Sequence, residues 1–147
     1  GLLDINELID SVLGVTHNVF KYKTQVERDL GSLPMISGRV TDLGQVLLGL
    51  LVNAAVTVRE GGPVQLRTRR LTDRISIEIS HEPETGAPAP VGDLQQVLDA
   101  PGLDQRLYLL RLHVVQRAVS SLGGELQLES GPGQLVTCTV SLPTPKG

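Results

Sequence analysis

Aromatic residues are almost missing from this chain, which has two Tyr, one Phe and no Trp. The ring platforms on which single-stranded nucleic-acid binders stack bases are therefore nearly absent. A dominant charge is missing too. Thirteen Lys and Arg stand against 16 Asp and Glu, a formal net charge of −3, which gives no general attraction to phosphate backbones. Nucleic acid is not an expected partner. Cysteine is reduced to Cys138, so no internal disulfide framework exists, and a lone thiol fits a reducing compartment. No uninterrupted apolar run approaches the roughly 18–20 residues that span a bilayer, and no signal-peptide pattern opens the chain. Membrane contact by this domain is not expected. The three histidines and the cysteine show no metal-ligand spacing.

What is present is an ordinary globular composition. The 147 residues, 40% of them hydrophobic, predict one domain over 1–147 with a core of Leu, Val, Ile and Ala. The start at Gly1, without a Met, is read as a cut from a longer protein. The domain itself is expected to be cytoplasmic, and attachment of the parent protein to a membrane is left open. Residues 143–147 read as a loose tail.

The most regular pattern lies at 41–58 (TDLGQVLLGLLVNAAVTV). Leu43, Val46, Leu47, Leu50, Leu51, Ala54 and Val58 follow the i, i+3, i+4, i+7 series of a helix that buries one face. Thr41 is the expected N-cap, and Asp42 suits the positive end of the dipole. Asn53 falls at the edge of the apolar stripe, one turn beyond Gly49. Its amide is either a helix-edge group or a ligand presented to a pocket, and periodicity does not choose between them.

Before that helix, 4–20 reads as another, opened by Asp4 and Glu7 as a capping-box-like pair, with Leu8, Ile9, Val12, Leu13, Val19 and Phe20 as its apolar side. Val26 and Leu30 fit a short edge strand, and 31–34 a turn. After it, Gly61-Gly62-Pro63 is the expected stop. Strands follow at 64–71 and 74–80, the second alternating Ile75, Ile77 and Ile79 with Ser76, Glu78 and Ser80. Residues 81–92 (HEPETGAPAPVG) read as a long loop, and 93–98 as a helical turn. A second long helix is predicted over 103–122, its stripe formed by Leu103, Leu107, Leu110, Val114 and Ala118, and capped by Gly123-Gly124. A hairpin of 125–130 and 135–142 closes the domain. Helix, strand, helix, hairpin, loop, helix, hairpin is the order of an α+β, two-layer α/β sandwich, with a mixed, mostly antiparallel sheet and helices on one face.

On these residues the chain resembles the catalytic, ATP-binding domain of sensor histidine kinases, in the GHKL (Bergerat-fold) ATPase group. The resemblance covers nearly the whole length. Residues 42–53 (DLGQVLLGLLVN) with Ala54 look like the family's Asn box, 75–80 like the strand leading to its first glycine box, and 122–130 (LGGELQLES) with Ser141-Leu142-Pro143 like its C-terminal hairpin. Each piece alone is weak, and the ordered set is specific. It implies ATP and Mg²⁺ as cofactors, with Asn53 as a Mg²⁺ ligand. His81 stands where the family has the Asp that accepts from the adenine amino group. Gly86 is the candidate for a nucleotide-facing glycine after a one-residue slip.

The sequence departs from the family pattern at the same pocket. Gly49 replaces the first Asn of the box, and Val56 follows Asn53 where a basic or polar residue is usual. His81-Glu82-Pro83-Glu84-Thr85 replaces D-x-G-x-G, and Leu109-Leu110-Arg111-Leu112 replaces the second glycine box, G-x-G-L. The helix pattern runs through that last stretch, so its N–H groups are expected to be bonded within the helix, not turned toward phosphates. Arg111 is the one side chain there with charge for a phosphate. Residues 82–91 take the place of the family's lid over ATP.

Other motifs have plainer readings. Ser80-His81-Glu82 is similar to the Ser-His-Glu of the kinase phosphoacceptor, but it follows a strand and precedes Pro83. His17 and His113 read as helix histidines. Cys138 alternates with Val136 and Val140 as a buried thiol. Arg67, Arg69, Arg70 and Arg74 read as a solvated basic hairpin. The leading expectation is a histidine-kinase ATP-binding-type domain, degenerate at its nucleotide site (a pseudokinase). It would contact the dimerisation and phosphoacceptor helices of its own chain, or a response regulator, within a dimeric parent. The alternatives are an active Mg·ATP-dependent kinase domain with an unusual pocket, and an anti-sigma-like GHKL regulator.

Overall fold

The computed structural model describes residues 1–20, 24–84, 94–130 and 135–145. In chain order the elements are β1 (Leu2–Leu3), α1 (Ile5–Phe20), β2 (Val26–Leu30), β3 (Ile36–Ser37), α2 (Val40–Thr57), β4 (Val64–Arg70), β5 (Arg74–His81), α3 (Leu94–Asp99), α4 (Leu103–Ser121), β6 (Glu125–Ser130) and β7 (Val136–Pro143). The main sheet has the order β2-β4-β5-β7-β6. Its edge strand β2 runs parallel to β4, and the remaining pairs are antiparallel. The α+β sandwich and the mixed, mostly antiparallel sheet are as expected. A two-stranded antiparallel ribbon of β1 and β3 is additional. Two-residue strands are too short to carry a periodic signal.

Alternation fixes which face of the sheet is covered. Val64, Leu66 and Thr68 of β4, Ile75, Ile77 and Ile79 of β5, and Val136, Cys138, Val140 and Leu142 of β7 are all buried. Register places Ile77 opposite both Thr68 and Val140, so the three strands present one apolar surface. Helices α1, α2 and α4 lie over it. On α2, Leu43, Val46, Leu47, Leu50, Leu51 and Ala54 are inside, the stripe expected from the sequence. Length and composition alone would let α2 cross a membrane. That was not anticipated from the sequence; here its buried face belongs to the domain core. At roughly 1.5–3 kcal/mol per fully buried aliphatic side chain, this one stripe supplies much of the drive for helix–sheet packing.

Helix ends follow local chemistry, with two corrections. Asp4 Oδ1 accepts from the Glu7 N–H at 3.0 Å, the expected N-cap bond of α1. At α2 the expected cap at Thr41 does not form. The helix begins at Val40, with extended Arg39 in the cap position and no side-chain cap bond. The helix also ends at Thr57, before the glycines, because Val58 turns extended and bridges to Pro83. At α4 the cap is as expected. Gly123 has φ +75°, and the N–H groups of Gly123 and Gly124 donate to the carbonyls of Ser120 and Val119, both at 3.0 Å.

A third correction concerns the phase of α4. Tyr108, Leu109, Leu112, Val115, Ala118 and Val119 are its buried residues. Of the predicted stripe only Ala118 is inside, while Leu103, Leu107, Leu110 and Val114 face outward. In α1, Ile9, Val12 and Phe20 are buried, and Leu8 and Leu13 are partly so; the side chain of Val19 lies outside the described residues. Thr16 is buried as well, its hydroxyl donating to the Val12 carbonyl at 3.0 Å.

Candidate functional site

The candidate residues meet where the C-terminal half of α2 approaches α4 and the end of β5. Gly49 makes the approach of α4 possible, because a Cβ on it would lie 2.5 Å from Val115 Cγ2. One turn further on, Asn53 is only 3% exposed. Its amide nitrogen donates to the Tyr108 carbonyl at 3.0 Å. Its amide oxygen accepts from Arg111 Nη1 at 3.1 Å. Both ends of the side chain are therefore bonded to α4. A buried amide left without partners would cost about 1–3 kcal/mol, so these two bonds are what allow a polar residue here.

The network continues through the backbone. The Asn53 carbonyl accepts from the Thr57 hydroxyl at 2.6 Å, and Thr57 Oγ1 lies 2.8 Å from His81 Nε2. With the single hydroxyl hydrogen directed at Asn53, the ring Nε2–H becomes the donor to Thr57. His81 is 4% exposed at the end of β5, on the helix-covered face expected from the alternation of Ile75, Ile77 and Ile79. Buried there, its ring is not exposed to attack a phosphoryl group, as the likeness of 80–82 to a phosphoacceptor motif would require.

The chain after β5 is tied down. Arg59 N–H donates to the Glu82 carbonyl at 2.9 Å and Glu84 N–H to the Thr57 carbonyl at 2.7 Å. An exposed ion pair, Arg59 Nε to Glu82 Oε2 at 2.8 Å, lies beside them. Gly86 lies outside the described residues, as do most of those in the lid position. Leu109–Leu112 sit in mid-helix within α4, so no helix N-terminus is offered there. Gly102, the N-cap residue at φ +78°, opens α4 seven residues before Leu109.

The resemblance implies Mg²⁺ and ATP at this place. Mg²⁺ asks for near-octahedral oxygen ligation. The Asn53 oxygen instead accepts from the Arg111 guanidinium, whose positive charge opposes a cation beside it. Among the described residues no group of three or more His, Cys, Asp or Glu could hold a metal. As arranged, a magnesium ion at Asn53 would share its ligand oxygen with Arg111. Burial pushes the Tyr108 hydroxyl and the Cys138 thiol up, each to about 12, so neither is an available nucleophile near neutral pH.

The basic hairpin is a surface feature. Arg69 and Arg67 pair with Asp29, the latter at 3.6 Å, and Arg74 approaches Glu125 at 4.0 Å, all with exposed side chains. The Arg69 hydrogen bond, aided by its charge and that of Arg67, holds the Asp29 carboxyl below its ordinary value despite the opposing effect of burial. Exposed pairs of this kind are worth little. The sequence did not point to Thr57 or Tyr108 as neighbours of Asn53. Thr57 was accessible as the i+4 residue of the same helix; Tyr108 contributes its backbone and left no side-chain signal.

Comparison with known proteins places this geometry in a family. No curated protein matches the chain. Among solved structures, the mycobacterial sensor histidine kinase MprB superposes with a TM-score of 0.77 at 22% identity, covering 99% of each chain. Histidine kinase AdeS of Acinetobacter baumannii gives 0.75 at 19%, covering 99% of this chain and 68% of that one. Full-length ShkA in complex with AMPPNP gives 0.77 at 21%, covering all of this chain and 32% of that one. The fold is that of histidine kinase catalytic domains. Residues 38–146 match the family model of histidine kinase-, DNA gyrase B- and HSP90-like ATPases, a span that runs from before α2 to beyond β7. The chain belongs to the histidine kinase-, DNA gyrase B- and HSP90-like ATPase family.

Proposed function

We propose that this domain is a histidine-kinase-type ATP-binding domain of two-component signalling in which nucleotide binding is weak or lost, and which acts through protein contacts on the cytoplasmic side. Its partners are the dimerisation and phosphoacceptor helices of its own chain or a response regulator. One observation carries the reading: the Asn53 amide is engaged at both ends, by the Tyr108 carbonyl and by Arg111. The oxygen that the resemblance nominates as the magnesium ligand is already engaged by a guanidinium, whose positive charge opposes a cation beside it. The fold itself is no obstacle, since ShkA of the same fold was solved with AMPPNP. The obstacle lies in the side chains: Gly49 in place of an amide, Leu109–Leu112 in place of a glycine-rich helix start, and a guanidinium on Asn53. Phosphoryl transfer is mostly positioning and charge stabilisation, and this set supplies neither a phosphate cradle nor a free metal ligand.

Titration of Mg·ATP and Mg·ADP by calorimetry, with melting curves in parallel, tests the reading. A ligand at 100 times its Kd stabilises a domain by about 2.7 kcal/mol. The expected result is no shift at millimolar nucleotide. A clear shift that disappears in Asn53→Ala would overturn the proposal in favour of an active kinase domain with an unusual pocket.

A further inference from the structure

The outward faces of α2 and α4 do not look like solvent-facing surface. On α2 the positions pointing away from the core run Thr41, Gln45, Leu48, Val52 and Val56, at helical spacing and without a charge; Asp42, in the first turn, is the helix's sole ionisable side chain. A helix at a water boundary carries charged residues opposite its apolar stripe. On α4, Leu103, Leu107, Leu110 and Val114 recur at intervals of four, three and four residues, with exposures between 38% and 68%. This is the stripe that sequence periodicity assigned to the core and that the fold turns outward. Leu48 and Val56 are exposed to 41% and 48%.

Between the two stripes runs a groove of about 320 Å³, lined by Gln45, Leu48, Gly49, Val52, Leu110, Arg111 and Val114. Its floor is apolar because Gly49 has no side chain and lets Val115 close beneath it. The apolar stripe of α4 spans twelve residues, about 16 Å over its eleven steps of 1.5 Å. That is three turns of a facing helix, longer than a compact small molecule of the groove's volume.

Charge selects the occupant. Arg111 lies in the groove, Arg106 one turn before Leu110, and Arg117 one turn beyond Val114. None of the three forms an ion pair among the described residues. Arg106 and Arg111 are held by neutral acceptors instead, the Ala100 carbonyl and the Asn53 amide oxygen. Asp104 is the single acidic residue of α4. One guanidinium in the groove and two more on α4 beside its outward apolar stripe match an amphipathic helix with Leu-type anchors at i, i+4, i+7 and i+11 and carboxylates on its flanks.

We infer that the α2–α4 groove docks an acidic amphipathic helix of a partner protein, with apolar side chains seated between Leu48, Val52, Leu110 and Val114 and carboxylates facing Arg106, Arg111 and Arg117. The inference rests on the protein-contact part of the proposed function and assigns it a surface.

The test uses the whole chain and a fluorescein-labelled helical peptide of about sixteen residues, with Leu at the 4-3-4 spacing and Glu on its flanks. An otherwise identical peptide carries Lys in place of Glu. Anisotropy titrations are expected to show saturable binding of the Glu peptide and at least about tenfold weaker binding of the Lys peptide. Leu110→Asp and Arg117→Glu, both at exposed positions, are each expected to weaken the Glu peptide by about tenfold with unchanged melting. Should Leu110→Asp disturb the fold, Arg117→Glu still decides. No binding, equal binding of the two peptides, or indifference to both variants would overturn the inference. A concentration-dependent dimer dispersed by Leu110→Asp would overturn it by giving the face to a second copy. Failure of the docking site is distinguishable from failure of the proposed function. The first is read with peptides in the absence of nucleotide; the second is read as a nucleotide-induced shift dependent on Asn53.

Discussion

Replacing Asn53 by Ala asks whether the residue is a structural tie or an idle ligand. In the structural account, the variant loses a neutral bond to the Tyr108 carbonyl and a charge-assisted bond from Arg111. The first is worth about 0.5–1.5 kcal/mol and the second about 1.5–3. The lower end applies to the second, because Arg111 is only partly buried. Alanine's better helix propensity returns about 0.5 kcal/mol. The expected net loss, without any nucleotide, is about 1.5–2.5 kcal/mol, or roughly 3–10 °C in Tm for a domain of this size. Urea denaturation of the wild type and of Asn53→Ala, Arg111→Met and the double variant gives the coupling directly. The two sites should fail to add by about 1 kcal/mol or more. A nucleotide ligand that makes no structural bond predicts the opposite: little change in the unliganded protein and additivity with Arg111→Met. A loss below about 0.5 kcal/mol with no coupling would refute the reasoning.

Restoring the amide that the family resemblance expects at position 49 should harm the fold. Gly49→Asn places a Cβ 2.5 Å from Val115 Cγ2, and Val115 is fully buried, so a destabilisation of about 1–3 kcal/mol is expected by denaturation. Val115→Ala in the same chain should recover part of it. Cys138 and Tyr108 set the alkaline limb of stability. Both have folded pKa values raised to about 12, against ordinary values of 9.0 and 10.0. Between those values the unfolded state has lost protons that the folded state keeps, so stability should be full below about pH 9 and fall as pH rises toward 12. Cys138→Ala should flatten the lower part of that slope. By the same burial, native Cys138 should resist alkylation at pH 8 and react once urea unfolds the chain.

Much of the fold was legible because single-face burial leaves a period in the sequence. Ile75, Ile77 and Ile79 fixed the covered face of β5, and through it the placement of His81. Leu43 to Ala54 fixed the inner face of α2. The phase of α4 was not legible, and the reason is chemical. Leu103, Leu107, Leu110 and Val114 share the 4-3-4 spacing with Tyr108, Leu112, Val115 and Val119, so two apolar stripes compete on one helix. Periodicity detects a stripe without saying which one the core takes. Choosing Tyr108 turned the other stripe outward. The cap at Thr41 was misplaced because a good capping side chain lay one residue inside a helix that begins from extended Arg39.

The site divides along the same line. That Leu109–Leu112 lies in mid-helix followed from local pattern, whereas Asn53 was nominated by the family resemblance, periodicity alone leaving its role open. That Arg111 meets Asn53 across 58 residues of chain left no local trace. That contact changes the meaning of Asn53. A motif residue read alone implies a ligand, while the same residue read with its partners is a clamp between α2 and α4.

The side-chain amide protons of Asn53 report most directly on which description holds. With Mn²⁺ in place of Mg²⁺ and millimolar ADP added, the account predicts that the Asn53 Nδ2 proton signals keep their width and position, because Arg111 and the Tyr108 carbonyl hold the amide. Selective paramagnetic broadening of those signals, reversed by chelating the manganese, would place a metal on Asn53 and contradict it.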